Sequence, residues 1–257
     1  MDPSTTKPIR KTVGDITVTL HEPCLWQTFG HHGTEMIINR NGRRMFPHLD
    51  LSIEGLNPTQ LYNILLEVCS ADNKRYKFIS NRWIPVGGAD PMEPNPPVIH
   101  HDSPNIGAFW MRKVSFAKVK LTNYKDSNEG SIVLHSMHKY MAKIIIEPAG
   151  ADGKGLGDRI VIPFDETEFF AVTAYQNETI IQLKIHNNPF AKAFRYPRIS
   201  KKEWGLTFTR HKLGHFGINI WFNFISVIRV CIGVFSSGRK PEDPGKPYEI
   251  LQASRGI

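Results

Sequence analysis

The chain has 257 residues, 40% of them hydrophobic, which is enough to bury one large core or two modest ones. Its 32 Lys and Arg against 24 Asp and Glu give a formal net charge of +8 and a pI near 9.4, a balance that favours polyanionic partners without choosing between nucleic acid and an acidic membrane. Three widely spaced cysteines, Cys24, Cys69 and Cys231, argue against a disulfide framework or a paired-cysteine zinc knuckle and fit a reducing compartment.

In chain order, residues 1–12 are polar and contain proline, which predicts a disordered N-terminal arm, and no apolar stretch there resembles a secretory leader. Ile16, Val18 and Leu20 alternate with polar residues and predict a half-buried strand. Further short strands are expected at Glu35 to Asn39, Arg43 to Phe46 and Leu49 to Ile53, separated by turn signals such as Asn41-Gly42. Asn57-Pro58 could open a helix, but Tyr62, Ile64, Leu66 and Val68 alternate, and Leu61 to Val68 is read as strand. Tyr76 to Ile79 and Trp83 to Val86, joined across Ser80-Asn81-Arg82, predict a hairpin, and the proline-rich run from Gly87 to Pro97 predicts a loop.

Strands are also expected at Phe109 to Phe116, Lys118 to Leu121, Ile132 to Leu134, Lys143 to Glu147, Ile160 to Ile162 and Phe169 to Ala174, a spacing that suits a β-sandwich. No repeat of solenoid or propeller length is present. Asn177 is placed to cap a helix through Asn187, with Ile180, Leu183 and Asn187 on one side and Ile181 and Ile185 on another; Pro189 ends it. The fold class is therefore all-β dominated, with short C-terminal helices. The expected domain spans residues 13–200, followed by a divergent tail over 201–257.

The segment Asn187 to Arg195, NNPFAKAFR, sets Phe190 and Phe194 four residues apart on a Pro-started turn, flanked by Lys192 and Arg195. On an α-helical turn the two rings share a face. An apolar wedge framed by cations suits the minor groove of DNA, where Phe enters between bases while Lys and Arg neutralise phosphates; the competing reading is core packing. From Ile180 to Lys212 the cations Lys184, Lys192, Arg195, Arg198, Lys201, Lys202, Arg210 and Lys212 face one acid, Glu203. Arg43-Arg44 follow the Asn41-Gly42 turn, where an arginine could donate to guanine O6 and N7 or simply be solvated. Lys118 and Lys120 alternate onto one strand face, suited to phosphates or to plain exposure.

His100-His101-Asp102, with His31-His32 upstream, is the candidate metal or hydrolase site. Adjacent histidines in a strand point to opposite faces, however, and no further ligand sits at useful spacing, so neither a metal nor a cofactor is expected. Gly153, Gly155 and Gly157 lack the GK[ST] ending of a phosphate loop and predict a hairpin loop. Ser136 and His138 have no acidic partner that would mark a nucleophile. In the tail, residues 216–235, FGINIWFNFISVIRVCIGVF, approach bilayer-spanning length but contain Arg229. A membrane-tethered or non-functional variant is the alternative this tail raises.

The segments NGRRMFP (41–47), ADNKRYKF (71–78), HDSPNIGAFW (101–110), VSFAKVKLTN (114–123), LHSMHKY (134–140), AVTAYQNETI (171–180) and NPFAKAF (188–194) together resemble the T-box family of DNA-binding transcription factors, over roughly residues 16–196. The resemblance implies an immunoglobulin-like β-sandwich or barrel that grips duplex DNA, a GGTGT-type core site, RNA polymerase II regulation during development, nuclear localisation and no catalysis. It implies double-stranded DNA as partner, a homodimer on paired half-sites, contacts with other transcription regulators, and no membrane. Carried over by position, Arg43 reads a guanine with Arg44 beside it, and Lys120 holds the backbone. Asn188, Phe190, Lys192, Phe194 and Arg195 take the minor groove, with Lys184 on the preceding helix as a further contact. This chain departs from the family pattern between Trp110 and Val114, where many relatives have one residue more, and at Met137 and Ala142, where Leu and Pro are usual. Those departures bear on partner contacts rather than on the DNA readers. Two rival classes, an extracellular adhesion sandwich and a metal-dependent hydrolase around His100 and His101, lack a leader with disulfides and a ligand set, respectively.

Overall fold

A computed structural model describes residues 7–125 and 130–194. The apolar tail segment, Cys231 and the cations from Arg195 onward fall outside those residues.

Alternating apolar residues build two main sheets. One is antiparallel, in the order β1 (Ile9–Val13), β2 (Ile16–Leu20), β5 (Asp50–Glu54) and β10 (Val114–Ser115). The other runs β3 (Glu35–Ile37), β14 (Ile160–Val172), β13 (His138–Pro148), β6 (Leu61–Ile79) and β7 (Arg82–Gly88), with β8 (Val98–Ile99) and β9 (Asn105–Ile106) also on β6. Val18, Leu51 and Ile53 from the first sheet meet Ile64, Leu66, Ile144, Ile146, Ile162 and Phe164 from the second in one buried cluster. Each such side chain contributes roughly 1.5–3 kcal/mol by leaving water. This is an immunoglobulin-like β-sandwich. A small third sheet, β12 (Ser131–Val133), β11 (Lys120–Thr122) and β4 (Arg43–Arg44), adds Leu121 and Ile132 to the same core.

Several elements differ from the sequence reading. Residues 9–13 are strand, not arm: Ile9 is buried, Arg10 Nε donates to Thr19 Oγ1 at 3.2 Å, and Gly14 takes the positive φ that turns β1 into β2. Phe109 and Trp110 lie in a helical turn, α2 (Gly107–Trp110), instead of a strand. Trp110 is fully buried there, donating Nε1 to the carbonyls of Asn105 (3.0 Å) and Tyr62 (3.3 Å). A Cβ on Gly107 would stand 2.1 Å from the Asn57 carbonyl oxygen, so the turn requires glycine. Helix α1 (Pro23–His31) was not foreseen. Ile160–Ile162 and Phe169–Ala174 are two ends of the continuous β14, with an irregularity at Tyr140/Ala142 of β13 absorbed as Ala142 N–H donates to Thr167 Oγ1 at 2.9 Å.

The hairpin is as expected but tighter. Ser80 (φ 50°) and Asn81 (φ 59°) form the mirror-image two-residue turn, and Arg82 already pairs with Ile79. Strand β7 is the sheet's edge, carrying Pro85 between the exposed Ile84 and Val86. Helix α3 (Glu178–Asn187) follows β14, and Pro189–Phe194 form a 3-10 helix.

Candidate nucleic-acid interface

The first arm is β4. Gly42, at φ +72°, lets the chain turn closely across Lys120: a Cβ there would lie 3.1 Å from Lys120 Cβ. The turn delivers Arg43 opposite Leu121 and Arg44 opposite Lys120 on antiparallel strands. Leu121 is fully buried and Met45 and Phe46 plunge into the interior just beyond, so the ladder is anchored while Arg43, Arg44 and Lys120 stay exposed. Among the described residues, no carboxylate reaches ion-pair distance of these three cations. Nearby, the Arg40 guanidinium lies 4.4 Å from the centre of the Tyr124 ring, and Thr122 Oγ1 donates to the Asn39 carbonyl at 2.9 Å, which fixes the turn to β11. Lys118 is exposed in the turn before β11 rather than on the strand, while Val119 and Leu121 are buried.

The second arm is α3 with the 3-10 segment. Asn177 caps α3 as expected, its Oδ1 accepting from Thr179 N–H at 2.9 Å while its Nδ2 donates to the His32 carbonyl. The fully buried Glu35 carboxylate accepts from Gln176 N–H (2.7 Å) and Asn177 N–H (3.0 Å), tying the helix start to β3. Ile180 packs with Phe29 and Phe46. At the other end, Asn188 N–H donates to the Lys184 carbonyl at 2.9 Å and Asn188 Oδ1 accepts from Phe190 N–H at 2.9 Å, starting the tighter winding. Phe190 is 74% exposed. The segment Pro189–Phe194 winds as a 3-10 helix rather than an α-helix. The side chains of Lys192 and Phe194, and Arg195 altogether, lie outside the described residues.

Lys184 points inward. Expected to contact DNA, it is only 5% exposed, and its Nζ donates inward to the Phe46 carbonyl. The Phe29, Tyr175 and Phe46 rings surround it at 5.4, 5.6 and 5.7 Å. Burial pushes its pKa down to about 7, against the pull of the Glu35 charge; burial likewise pushes the Glu35 carboxyl up to about 7, against its backbone donors and Lys184. The direction of each shift is what burial demands of a charge, while the aromatic faces favour the cation.

The histidine candidates lie in two places. His100, His101 and Asp102 offer ligand atoms within 4.8 Å, the group of this kind found among the described residues. Instead of pointing to opposite faces, the His100 and His101 rings stack at 4.3 Å in a turn. His100 Nδ1 accepts from Asp102 N–H, and the Asp102 carboxylate accepts from Arg112 at 2.6 Å. His138 is a satisfied core histidine, accepting from Asp90 N–H through Nε2 while Nδ1 faces the Ser136 carbonyl. The glycine loop joins β13 to β14, and Gly155 packs against the Glu147 carboxylate.

Residues 18–196 match the T-box family pattern. The chain belongs to the T-box family. It is 48% identical to the T-box transcription factor T homolog 1 of Branchiostoma floridae over 185 residues, 71% of this chain and 41% of that protein. It is 48% identical to the T-box transcription factor T of Xenopus laevis over 184 residues, 71% of this chain and 42% of that protein. The T-box transcription factor TBX4 of Homo sapiens is 46% identical over 190 residues, 72% of this chain and 35% of that protein. The chain thus matches about two fifths of the length of these relatives. Both arms lie inside the T-box match, whereas β1 precedes it. Among the described residues of this T-box chain, no helix is long and apolar enough to cross a membrane.

Glu35, Phe46 and Tyr175 were not singled out in the sequence. For Glu35 the signal was an acid opening the otherwise apolar strand EMI. For Lys184 it was spacing, since it sits four residues after Ile180 and so shares that residue's inward face.

Proposed function

We propose that this T-box chain is a sequence-specific, double-stranded DNA-binding transcription regulator that acts in the nucleus on RNA polymerase II genes and catalyses no reaction. The observation that carries the reading is the β4–β11 ladder, where Arg43, Arg44 and Lys120 are exposed together without a carboxylate partner among the described residues. Such a cluster is satisfied by a polyanion. Arg43 donates to guanine O6 and N7 of a GGTGT-type core in the major groove, while Arg44 and Lys120 hold phosphates. Asn188 and Phe190, with Lys192, Phe194 and Arg195, engage the minor groove from the second arm, where an exposed ring has a base step to enter. The binding domain runs to about residue 200, and residues 201–257 form a divergent tail in sequence. A homodimer on paired half-sites and contacts with other transcription regulators follow from the same family reading.

Selection of bound duplexes from a random pool tests this. Enrichment of a GGTGT-type core by the natural chain, lost at one base in Arg43→Ala, is the expected result. Recovery of an unenriched pool overturns the reading.

A further inference from the structure

The side chain of Lys184 reaches one arm while its backbone holds the other. Its Nζ donates to the carbonyl of Phe46, two residues beyond Arg44, and its own carbonyl accepts from Asn188 N–H, two residues before Phe190. The Phe29, Phe46 and Tyr175 rings lie around the amino group, and its hydrogen bond goes to that one carbonyl. At the start of the same helix, the buried Glu35 carboxylate takes the Gln176 and Asn177 N–H groups and presents its charge to Lys184. Helix α3 is therefore fastened to the sandwich at both ends by polar groups withdrawn from water.

We propose that Lys184 and Glu35 are positioning residues that fix the spacing between the Arg43–Arg44 arm and the Asn188–Phe190 arm, and so set the affinity for DNA without touching it. The inference rests on the DNA-binding reading above. Burying an amino group or a carboxylate is unfavourable, and an apolar side chain of equal volume would pack Ile180 against Phe46 as well or better. What methionine lacks is direction. A donor aimed at one carbonyl specifies one register of helix on sheet, whereas an apolar filling lets the helix slide, and a shift of the order of 1 Å is enough to keep both arms from seating together. The two arms bind one duplex, so tying them beforehand lowers the ordering penalty of the second contact.

The test uses the full chain and a duplex carrying the GGTGT-type core. Lys184→Met should melt no lower than the natural chain near neutral pH yet bind the duplex about ten-fold or more weakly. A double-mutant cycle between Arg43→Ala and Phe190→Ala should show coupling in the natural chain and lose it in the Lys184→Met background. If Lys184→Met folds poorly, Glu35→Gln, which keeps the size but cannot accept both N–H groups, is measured in its place for the same loss of affinity and coupling, beyond what its own unfolding explains. Unchanged affinity and coupling, or an affinity loss no larger than the accompanying unfolding explains, overturns the proposal. Failure of the natural chain to prefer the duplex over random DNA would instead overturn the DNA-binding reading itself.

Discussion

Arg44 and Lys120 stand directly opposite one another on neighbouring antiparallel strands. Like charges in that position repel, by a few tenths to about 1 kcal/mol. Arg44→Gln should therefore raise the stability of the free protein by roughly that amount while weakening its hold on DNA, because the phosphate that relieves the repulsion loses its partner. Urea denaturation without DNA, beside fluorescence anisotropy with it, should give effects of opposite sign; a loss in both would remove the strain from the account.

Arg43 and Lys120 share the ladder, and the proposed reading gives them different ends. Replacing Arg43 with Ala should cost about 1–3 kcal/mol on the preferred site and relax selection at one base. Lys120→Ala should weaken all duplexes about evenly and lower the slope of log K against log salt by about 1. Equal losses on specific and random DNA for both variants would contradict the division.

Phe190 is 74% exposed, so removing its ring takes almost nothing from the core. Phe190→Ala should leave folding stability within about 0.5 kcal/mol of the natural chain. Its effect should fall on DNA, with weaker binding and a smaller bend in gel-based phasing assays. A variant that bends DNA as fully as the natural chain would exclude insertion of this ring.

Gly42 holds φ +72° with Lys120 pressed against it. Alanine there adds left-handed strain of roughly 1–2 kcal/mol and a contact of 3.1 Å with Lys120 Cβ, so Gly42→Ala should destabilise the fold by about that much and disturb the Arg43 arm as well. Thermal unfolding checks the first effect and binding the second.

The buried pair gives a pH signature. Glu35, raised by burial from 4.5 to about 7, holds more protons folded than unfolded in that window, so its contribution to stability falls as pH climbs from about 4.5 to about 7. Lys184, lowered from 10.5 to about 7, holds fewer protons folded, so stability rises from about 7 toward 10.5. Together they place a minimum near neutrality, the acid limb on the order of 3 kcal/mol and the alkaline limb on the order of 5 kcal/mol at most. Denaturation across this range should show Glu35→Gln losing the acid limb and Lys184→Met the alkaline one; an unaltered profile in either variant would refute the assignment.

The sandwich was legible because strands such as Ile16–Leu20 and Asp50–Glu54 alternate strictly, and the cap at Asn177 because its side chain acts locally. What escaped depends on distant partners. Helix α1, PCLWQTFGH, contains few strong helix formers and exists to bury Trp26 and Phe29, with only its leading proline as a local sign. Strand β6 read as two pieces because its middle, Ser70 to Arg75, is polar, although pairing with β13 and β7 carries it through. Trp110 left its expected strand to satisfy its indole nitrogen. Lys184 carries the same letter whether it meets solvent or an aromatic enclosure, and only the surroundings assembled from α1, β4 and the β14–α3 connection distinguish the two.

The edge strand β7 presents Ile84 and Val86 to solvent on either side of Pro85. A proline has no N–H to offer an incoming strand, and the shift in register at Arg75/Tyr76 warps the same stretch. The hairpin can thus project apolar side chains from the body of the molecule without templating fibrous growth.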